Sequence, residues 1–163
     1  MMPFEGKQTI TQLFSAKHNG LDIFGLDSDN VFAVASGRVL LARKDKVYGY
    51  GNRIAIEDEL GNCWIYAHLS SIMIDEGAYV KAGQIIGLQG STGNSTGKHL
   101  HLGLFEKGDE NKPLNPAIAL NIVKPVVGME INYEPEETIE VRVVKRSTKS
   151  ITVEYEGLKG ILK

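Results

Sequence analysis

Short runs in which apolar and polar residues alternate occur along most of the chain, and they predict β-strands. Four segments carry the pattern: VFAVASGRVLLARK (31–44), NRIAIEDELGNCWIYAHL (52–69), AYVKAGQIIGLQG (78–90) and HLHLGLF (99–105). The first predicts two strands separated at Ser36-Gly37. The second predicts a hairpin with its turn at Glu59 to Asn62, and the third predicts two shorter extended pieces.

Helical patterns are nearly absent from the sequence. The segment PLNPAIAL (113–120) predicts one short helix, with Asn115 as its N-cap and Pro116 at the first helical position. No long amphipathic periodicity is present elsewhere. The sequence therefore predicts an all-β domain.

The C-terminal part differs in composition, because Glu and Val become more frequent after Pro125. TIEVRVV (138–144) and SITVEYE (150–156) alternate on either side of KRSTK, which predicts a β-hairpin. A segment of about 40 residues hardly stabilises itself without a metal or disulfide, so we expect it to dock on the first domain or to be completed by further chain. We predict a domain at 1–122 and a small β appendage at 126–163, and the ending GLKGILK leaves open that they belong to a longer protein.

Length and charge limit the classes of function. A chain of 163 residues buries one sizeable core, and 18 basic against 20 acidic side chains give a net charge of -2 without a long run of either sign. We therefore expect no nucleic-acid partner and, without a window of ~20 apolar residues, no membrane span. MMPFEGKQTITQLF lacks the pattern of a signal peptide, so we expect a chain made in the cytoplasm or one that has lost its leader. The oligomeric state stays open.

The single cysteine, Cys63, has two interpretations. It is either a fourth metal ligand or nucleophile, or a buried small thiol. Strict strand alternation puts His68 on one face with Tyr66, and Cys63 on the other face with Ile65. This favours the buried thiol.

All four histidines lie in three short strings that have the form of a metal or acid/base site. The strings are HNGLD, with His18 and Asp22; YAHLS, with His68; and HLH, with His99 and His101. Two neutral imidazoles and one carboxylate bind zinc well and leave room for a water, and further imidazoles can transfer protons. Together the strings indicate a mononuclear zinc hydrolase.

Each string by itself has a plainer interpretation. The H-x-H pair on a strand projects both side chains from one face, and half-exposed strand histidines would look the same. In HNGLD, the Asn-Gly pair favours a bent loop over one helical face, and such a loop brings His18 and Asp22 onto one ion. His68 alone is explained by a structural histidine at a strand end. The joint occurrence of the strings favours the site.

The segment GSTGNSTGK (90–98) is similar to a phosphate-binding loop, but it lacks two required residues. Thr92 stands where that motif has its first glycine, and His99 stands where Ser or Thr would coordinate magnesium. We therefore exclude a nucleotide site. We expect a loop at the mouth of the site that sets the HLH strand in place.

Five segments together resemble the lysostaphin/LytM-type zinc endopeptidases, and they follow one another over roughly residues 8–105: TQLFSAKHNGLDIFG, VFAVASGRV, YGYGNRIAIED, YAHLSS and GQIIGLQGSTGNSTGKHLHLGLF. The resemblance implies a duplicated-hybrid-motif, LytM-like fold of antiparallel sheets that form an open groove. It implies one Zn²⁺ per chain with His18, Asp22 and His101 as ligands. It also implies that His68 and His99 are catalytic and do not bind the metal.

The same resemblance implies a zinc metalloendopeptidase that hydrolyses peptide cross-links of bacterial peptidoglycan. A metal-activated water is expected to attack the scissile carbonyl of the peptidoglycan peptide, with the cell wall as the place of action. Because a histidine side chain ordinarily titrates near neutral pH, either His68 or His99 can take the proton of the water and return it to the leaving amine. Which of the two is the general base, and which bond is cut, stay open.

Two departures from the family pattern affect these expectations. Secreted members carry a leader and often an inhibitory N-terminal segment, whereas few residues precede His18. We therefore expect a constitutively competent enzyme, either a phage-encoded or virion-associated endolysin or one whose leader is missing. The family's tyrosine just upstream of the first ligand has no match, since Phe14 and Lys17 occupy that stretch. Oxyanion stabilisation is expected to rest on the histidines, or on Tyr48 or Tyr50.

Two other classes of function remain. The first is a catalytically silent LytM-like module that regulates other cell-wall hydrolases; such relatives usually lack some of the five polar residues present here. The second is a phosphocarrier, since GRV and GAYVKAGQIIG also resemble the sugar-transport IIA phosphocarriers, which use two active-site histidines. HNGLD has no purpose in a phosphocarrier, which disfavours that class.

Overall fold

Short β-strands make up most of the regular structure of this protein in a computed structural model, which describes residues 1–45, 47–135, 142–146, 151–155 and 158–162. The predicted all-β fold is thereby confirmed. In chain order the elements are β1 (Gly6–Gln12), β2 (Gly20–Gly25), β3 (Asn30–Phe32), β4 (Gly37–Arg43), β5 (Arg53–Asp58), β6 (Cys63–Ala67), β7 (Ser71–Ile72), β8 (Tyr79–Val80), β9 (Ile85–Leu88), β10 (Leu100–Phe105), α1 (Pro116–Ala119), β11 (Glu130–Tyr133), β12 (Arg142–Arg146), β13 (Ile151–Tyr155) and β14 (Leu158–Leu162).

The strands form three antiparallel sheets. The largest has eight strands in the order β11-β1-β2-β10-β6-β5-β4-β8, and a smaller sheet has the order β3-β9-β7. Strands β2 and β10, which are far apart in sequence, are neighbours at the centre of the large sheet. This neighbourhood brings the HNGLD and HLH strings together.

The main core lies against one face of the large sheet, and strand alternation decides which residues enter it. Leu100, Leu102 and Leu104 of β10 are buried in this core, as are Leu21 and Ile23 of β2. Burying each of these side chains stabilises the fold by about 1.5–3 kcal/mol relative to exposure. The residues between them necessarily project from the opposite face of the sheet.

Most of the predicted local elements are confirmed. The predicted hairpin at 52–69 corresponds to β5 and β6, which pair antiparallel, and the break at Ser36-Gly37 separates β3 from β4. The predicted helix is α1, where the side chain of Asn115 accepts a hydrogen bond of 3.0 Å from the backbone N–H of Ala117. Cap chemistry and turn residues identified these elements because both act over a few neighbouring residues.

Pairing at the N-terminal edge was not predicted. Strand β1 pairs with β2 on one side and with β11 on the other. Strand β11 lies inside the range 126–163 that we assigned to the appendage, yet it is an edge strand of the large sheet. The division of the chain into 1–122 and 126–163 stays a prediction.

The C-terminal strands form a sheet of their own. Strands β12 and β13 pair antiparallel, as the predicted hairpin requires, and β14 adds a third strand that the sequence analysis did not predict. Residues 138–141, 150 and 156 of the predicted strands lie outside the described residues.

The helices were also compared with the length of a membrane span. No helix among the described residues is long and apolar enough to cross a membrane.

Cys63 is buried in a small apolar cluster with Ala55 and Phe105. Burial, together with the nearby charge of Glu57, raises the pKa of the Cys63 thiol to about 11. The interpretation as a buried thiol agrees with this environment.

The raised pKa predicts that Cys63 of the folded protein is nearly inert toward iodoacetamide at about pH 8. Because the thiolate is the reactive form, alkylation is expected to be more than about 100-fold slower than for the same chain in denaturant. The rate should then rise steadily toward about pH 11. Mass spectrometry of timed samples measures both rates. Equal labelling of the folded and denatured chain at the lower pH would contradict this environment.

Candidate active site

Asp22 and His101 form the centre of the site, because they face each other on neighbouring strands. In the antiparallel register of β2 and β10, His101 is the direct partner of Asp22. Both lie on the face of the sheet opposite the main core, and both are nearly buried, with 7% and 4% of their surfaces exposed. The expectation of a bent loop through HNGLD is wrong for Asp22, since β2 begins at Gly20 and is paired on both sides.

His18 precedes β2 and is held by its own short turn. Its backbone exchanges two hydrogen bonds with Ser15, of 2.9 and 3.1 Å. Its Nδ1 donates a hydrogen bond of 2.9 Å to the backbone carbonyl of Leu13. The ring is thereby oriented with Nε2 toward Asp22.

Three donor atoms converge at one point of the cavity. His18 Nε2 lies 3.1 Å from Asp22 Oδ1, His101 Nδ1 lies 2.9 Å from the same oxygen, and the two ring nitrogens are 3.1 Å apart. Ligands of a tetrahedral zinc site lie about 3.3 Å from one another. The group is thus close to the dimensions of a metal site and is, within the described part of the chain, the only such cluster found.

The hydrogen bonds of His18 determine which of its ring nitrogens faces Asp22. The carbonyl of Leu13 only accepts, so His18 Nδ1 carries the proton and a neutral ring presents a lone pair to the carboxylate. The hydrogen bond with Asp22 raises the pKa of His18, against the opposing effect of burial. Burial alone would raise the pKa of Asp22, but hydrogen bonds with His101 and His18 hold it well below its usual range. Either a proton or a metal ion satisfies this arrangement.

The ring of His101 is fixed by a close approach to Gly20. A Cβ at Gly20 would lie 2.5 Å from His101 Cε1 and 2.6 Å from Nε2, so a side chain at this position has no room. Nε2 is buried and has no hydrogen-bond partner among the described residues, whereas Nδ1 points at Asp22. Gly20 is therefore needed for packing against the site, in addition to its place in the Asn-Gly pair.

His68 and His99 lie beside this group on the same cavity. Their ring centroids are 4.9 Å apart, and the His68 ring lies 5.8 Å from that of His101. His99 Nε2 is 3.5 Å from Asp22 Oδ2. Their Nδ1 atoms each donate a 2.8 Å hydrogen bond to a backbone carbonyl, of Thr92 for His68 and of Gly97 for His99. In the neutral rings Nε2 is thus left with a lone pair.

The predicted orientation of His68 is wrong, and its backbone explains why. Alternation assigned His68 to the face of Tyr66, which is fully buried in the main core. However, β6 ends at Ala67, and His68 has φ of 60°. This left-handed conformation reverses the alternation, so that Leu69 enters the core and the imidazole of His68 faces the site.

Burial lowers the pKa of His68, although the hydrogen bond to the Thr92 carbonyl acts in the opposite direction. A lowered pKa keeps the imidazole neutral at neutral pH, which is the form that accepts a proton. The arrangement therefore combines three side chains that could hold a metal ion with an imidazole suited to act as a base.

An open cavity of about 560 Å³ lies over these side chains. Asn94 and Ser95 of the Gly-rich segment line it, as predicted for a loop at the mouth of the site. Tyr50 also lines it: its ring centroid is 5.4 Å from that of His101, and its hydroxyl accepts a 2.7 Å hydrogen bond from the Asn19 side chain. Tyr48, the other tyrosine considered, is 74% exposed.

Asn19 and Thr92 also belong to the site but were not predicted from the sequence. Asn19 donates to the Tyr50 hydroxyl, and the Thr92 carbonyl accepts from His68 Nδ1, so each contacts a side chain distant in sequence and no spacing or motif identified it. The five polar residues that were predicted all line one cavity.

Residues 16–116 match the family model described as peptidase family M23. Lysostaphin of Staphylococcus simulans is 45% identical over 86 residues, which are 52% of this chain and 17% of that protein. The DD-carboxypeptidase/endopeptidase Mpg of Neisseria meningitidis serogroup B is 39% identical over 99 residues, or 61% of this chain and 22% of Mpg. The murein hydrolase activator NlpD of Escherichia coli K12 is 37% identical over 115 residues, or 69% of this chain and 29% of NlpD.

These aligned regions span less than a third of the length of each relative. The solved catalytic domain of lysostaphin from Staphylococcus simulans has a TM-score of 0.60 to this structure at 33% identity, covering 71% of this chain and 92% of that domain. The match to the family model covers more than half of the chain and includes all five polar residues of the site. The protein belongs to peptidase family M23.

Proposed function

We propose that this protein is a zinc-dependent endopeptidase that hydrolyses peptide cross-links of bacterial peptidoglycan. One observation carries the proposal: three donor atoms within 3.1 Å of one another share a cavity with two further histidines. The similarity to lysostaphin and Mpg supports the substrate class. The cell wall is then the place of action.

The ligands in this proposal are His18 Nε2, Asp22 Oδ1 and His101 Nδ1. Their donor set of two imidazoles and one carboxylate is typical of catalytic zinc, and all three residues line the cavity. A zinc ion held by them would supply a Lewis acid that acidifies water and polarises a carbonyl. The hydrogen bond with Asp22 raises the pKa of His18, and protons compete with zinc for this ring. Zinc affinity should therefore fall as the pH falls through the raised pKa.

His68 and His99 transfer the protons of the reaction. Each has its Nδ1 engaged with a backbone carbonyl, so Nε2 is the atom that takes a proton from water and returns it to the leaving amine. The lowered pKa of His68 favours it as the general base, because the imidazole is neutral before the reaction starts.

Tyr50 supplies a further donor in this mechanism. Its hydroxyl oxygen accepts from Asn19, which leaves the O–H free to donate toward the cavity. A neutral O–H beside the scissile carbonyl would stabilise negative charge that develops on its oxygen. Tyr50 thus takes the role of the family tyrosine that has no match upstream of His18.

A second candidate is a catalytically silent module that activates other cell-wall hydrolases. The similarity to the murein hydrolase activator NlpD over 115 residues favours it. The presence of all five polar residues in one cavity favours the enzyme instead.

Digestion of purified peptidoglycans of different cross-link type separates the two candidates. The zinc-loaded protein should release peptide fragments whose masses identify the cut bond, and a zinc chelator should abolish the release until zinc is restored. The His101→Ala variant is the matched control. If the protein releases no fragments from any cross-link type but stimulates a second hydrolase, the activator is supported instead.

Substitution of the five polar residues should separate zinc binding from turnover. His18→Ala, Asp22→Ala and His101→Ala are expected to lose zinc, because each removes a ligand. His68→Ala and His99→Ala are expected to keep one zinc per chain and to lose about 100-fold or more in kcat, the usual effect of removing an acid or base. Metal analysis and steady-state kinetics measure the two effects. Normal zinc content in the His101 variant would refute the ligand assignment.

The proposed role of Tyr50 predicts a loss in kcat for Tyr50→Phe of about 10- to 1,000-fold with KM and zinc content unchanged, because only the donor to developing charge is removed. Tyr48→Phe is the matched control and should behave as the parent protein, since Tyr48 is exposed outside the cavity lining. Parent-like kcat for Tyr50→Phe would remove this residue from the mechanism.

A further inference from the structure

We propose that Asn52 and Thr92 are positioning residues that hold the imidazole of His68 over the cavity. The inference rests on the proposed function, in which His68 is the general base. The backbone at His68 turns with φ of 60°, and hydrogen bonds from its surroundings hold this turn.

His68 adopts a conformation that its residue type disfavours. A residue with a Cβ is disfavoured in the left-handed region, because the Cβ comes too close to the following carbonyl oxygen. In an extended conformation the imidazole would project to the face of Tyr66, which is occupied by the main core. The observed φ of 60° is therefore the condition for His68 to reach the site.

Backbone hydrogen bonds to a single loop restrain this turn. The N–H of His68 donates to the carbonyl of Tyr50 at 2.8 Å, and the N–H of Leu69 donates to the carbonyl of Asn52 at 3.0 Å. These bonds tie the turn to the loop that precedes β5. The loop itself needs an anchor, and side chains provide it.

Asn52 and Thr92 join this loop and the Gly-rich segment at the carbonyl of Leu69. That carbonyl accepts from Asn52 Nδ2 and from Thr92 Oγ1, each at 2.9 Å. Thr92 Oγ1 also accepts from the backbone N–H of Asn52 at 3.0 Å. Asn52 is only 3% exposed, and its Oδ1 accepts from the N–H of Asp45 at 3.0 Å. The amide oxygen and nitrogen of Asn52, the hydroxyl of Thr92 and the carbonyl of Leu69 therefore belong to one network, which is buried at Asn52 and half-buried at Thr92.

Thr92 also determines which way the ring faces. Its carbonyl accepts the 2.8 Å hydrogen bond from His68 Nδ1, which fixes the tautomer and leaves Nε2 as the proton acceptor. The same residue thus holds the backbone of the turn through Oγ1 and the imidazole through its carbonyl. Displacement of Thr92 would change both.

The two loops fit together without space for larger residues. Gly51, with φ of 61°, would place a Cβ 2.5 Å from Thr92 Oγ1, and a Cβ on Gly93 would lie 2.4 Å from the carbonyl oxygen of Gly49. The glycines permit the contact, and the Asn52–Thr92 network maintains it.

Thr92→Val tests the proposal, because it removes Oγ1 at nearly constant volume. We expect kcat to fall about 10- to 100-fold, the usual effect of a residue that orients a catalytic group, with unchanged KM and one zinc per chain. Thr92→Ser should restore most of the activity, since it restores the hydroxyl. Thr9→Val, the same change on β1, is the control and should leave kcat unchanged. Parent-like kcat in Thr92→Val would overturn the proposal, as would loss of activity in proportion to loss of zinc.

A second measurement does not depend on activity. Long-range ¹H–¹⁵N spectra of the imidazoles should show the Nδ1–H tautomer at His68 in the parent and in Thr92→Ser, and a mixture of tautomers in Thr92→Val. Thr92→Ala serves the same purpose if the valine variant does not fold. An unchanged His68 signal in the variant that lacks Oγ1 would overturn the positioning role. If the parent protein cleaves no peptidoglycan, the proposed function fails, and these spectra still decide whether the network holds His68.

Discussion

The register between β2 and β10 is the constraint on which the site depends. It sets Asp22 opposite His101 on one face and buries Leu21, Ile23, Leu100 and Leu102 on the other. Since side chains alternate along a strand, a slip of one residue would move the polar pair into the core and the apolar residues to the cavity. The same burial that stabilises the sheet therefore fixes the position of the site, and folding and the assembly of the donor atoms are one event.

Backbone carbonyls orient the histidines that surround this pair. His18, His68 and His99 each donate Nδ1 to a carbonyl, of Leu13, Thr92 and Gly97 respectively. A neutral ring held in this way presents Nε2 as a lone pair, which suits either a metal ion or a proton. Position then separates the roles that we propose: Nε2 of His18 lies against Asp22 Oδ1, whereas the rings of His68 and His99 lie next to each other beside the group.

Local sequence signals predicted most of the strands between residues 31 and 105, the short helix and all five polar residues, because alternation, capping and short histidine strings are each contained within a few residues. Long-range pairing was not predictable in the same way, and β1, β2, β11 and β14 were missed. The prediction of the orientation of His68 was wrong for a physical reason. Alternation assumes an extended backbone, whereas His68 has φ of 60°. The hydrogen-bond network of Asn52 and Thr92 could not be predicted from a sequence pattern, because its members come from separate loops.

The central claim is that His18, Asp22 and His101 hold zinc while His68 and His99 do not. Anomalous diffraction from crystals of the zinc-loaded protein, measured on both sides of the zinc absorption edge, tests it most directly. We expect one anomalous peak, which lies within about 2.0–2.2 Å of His18 Nε2, Asp22 Oδ1 and His101 Nδ1. A peak bonded to His68 or His99 in place of one of these ligands, or no peak in the cavity, would contradict it.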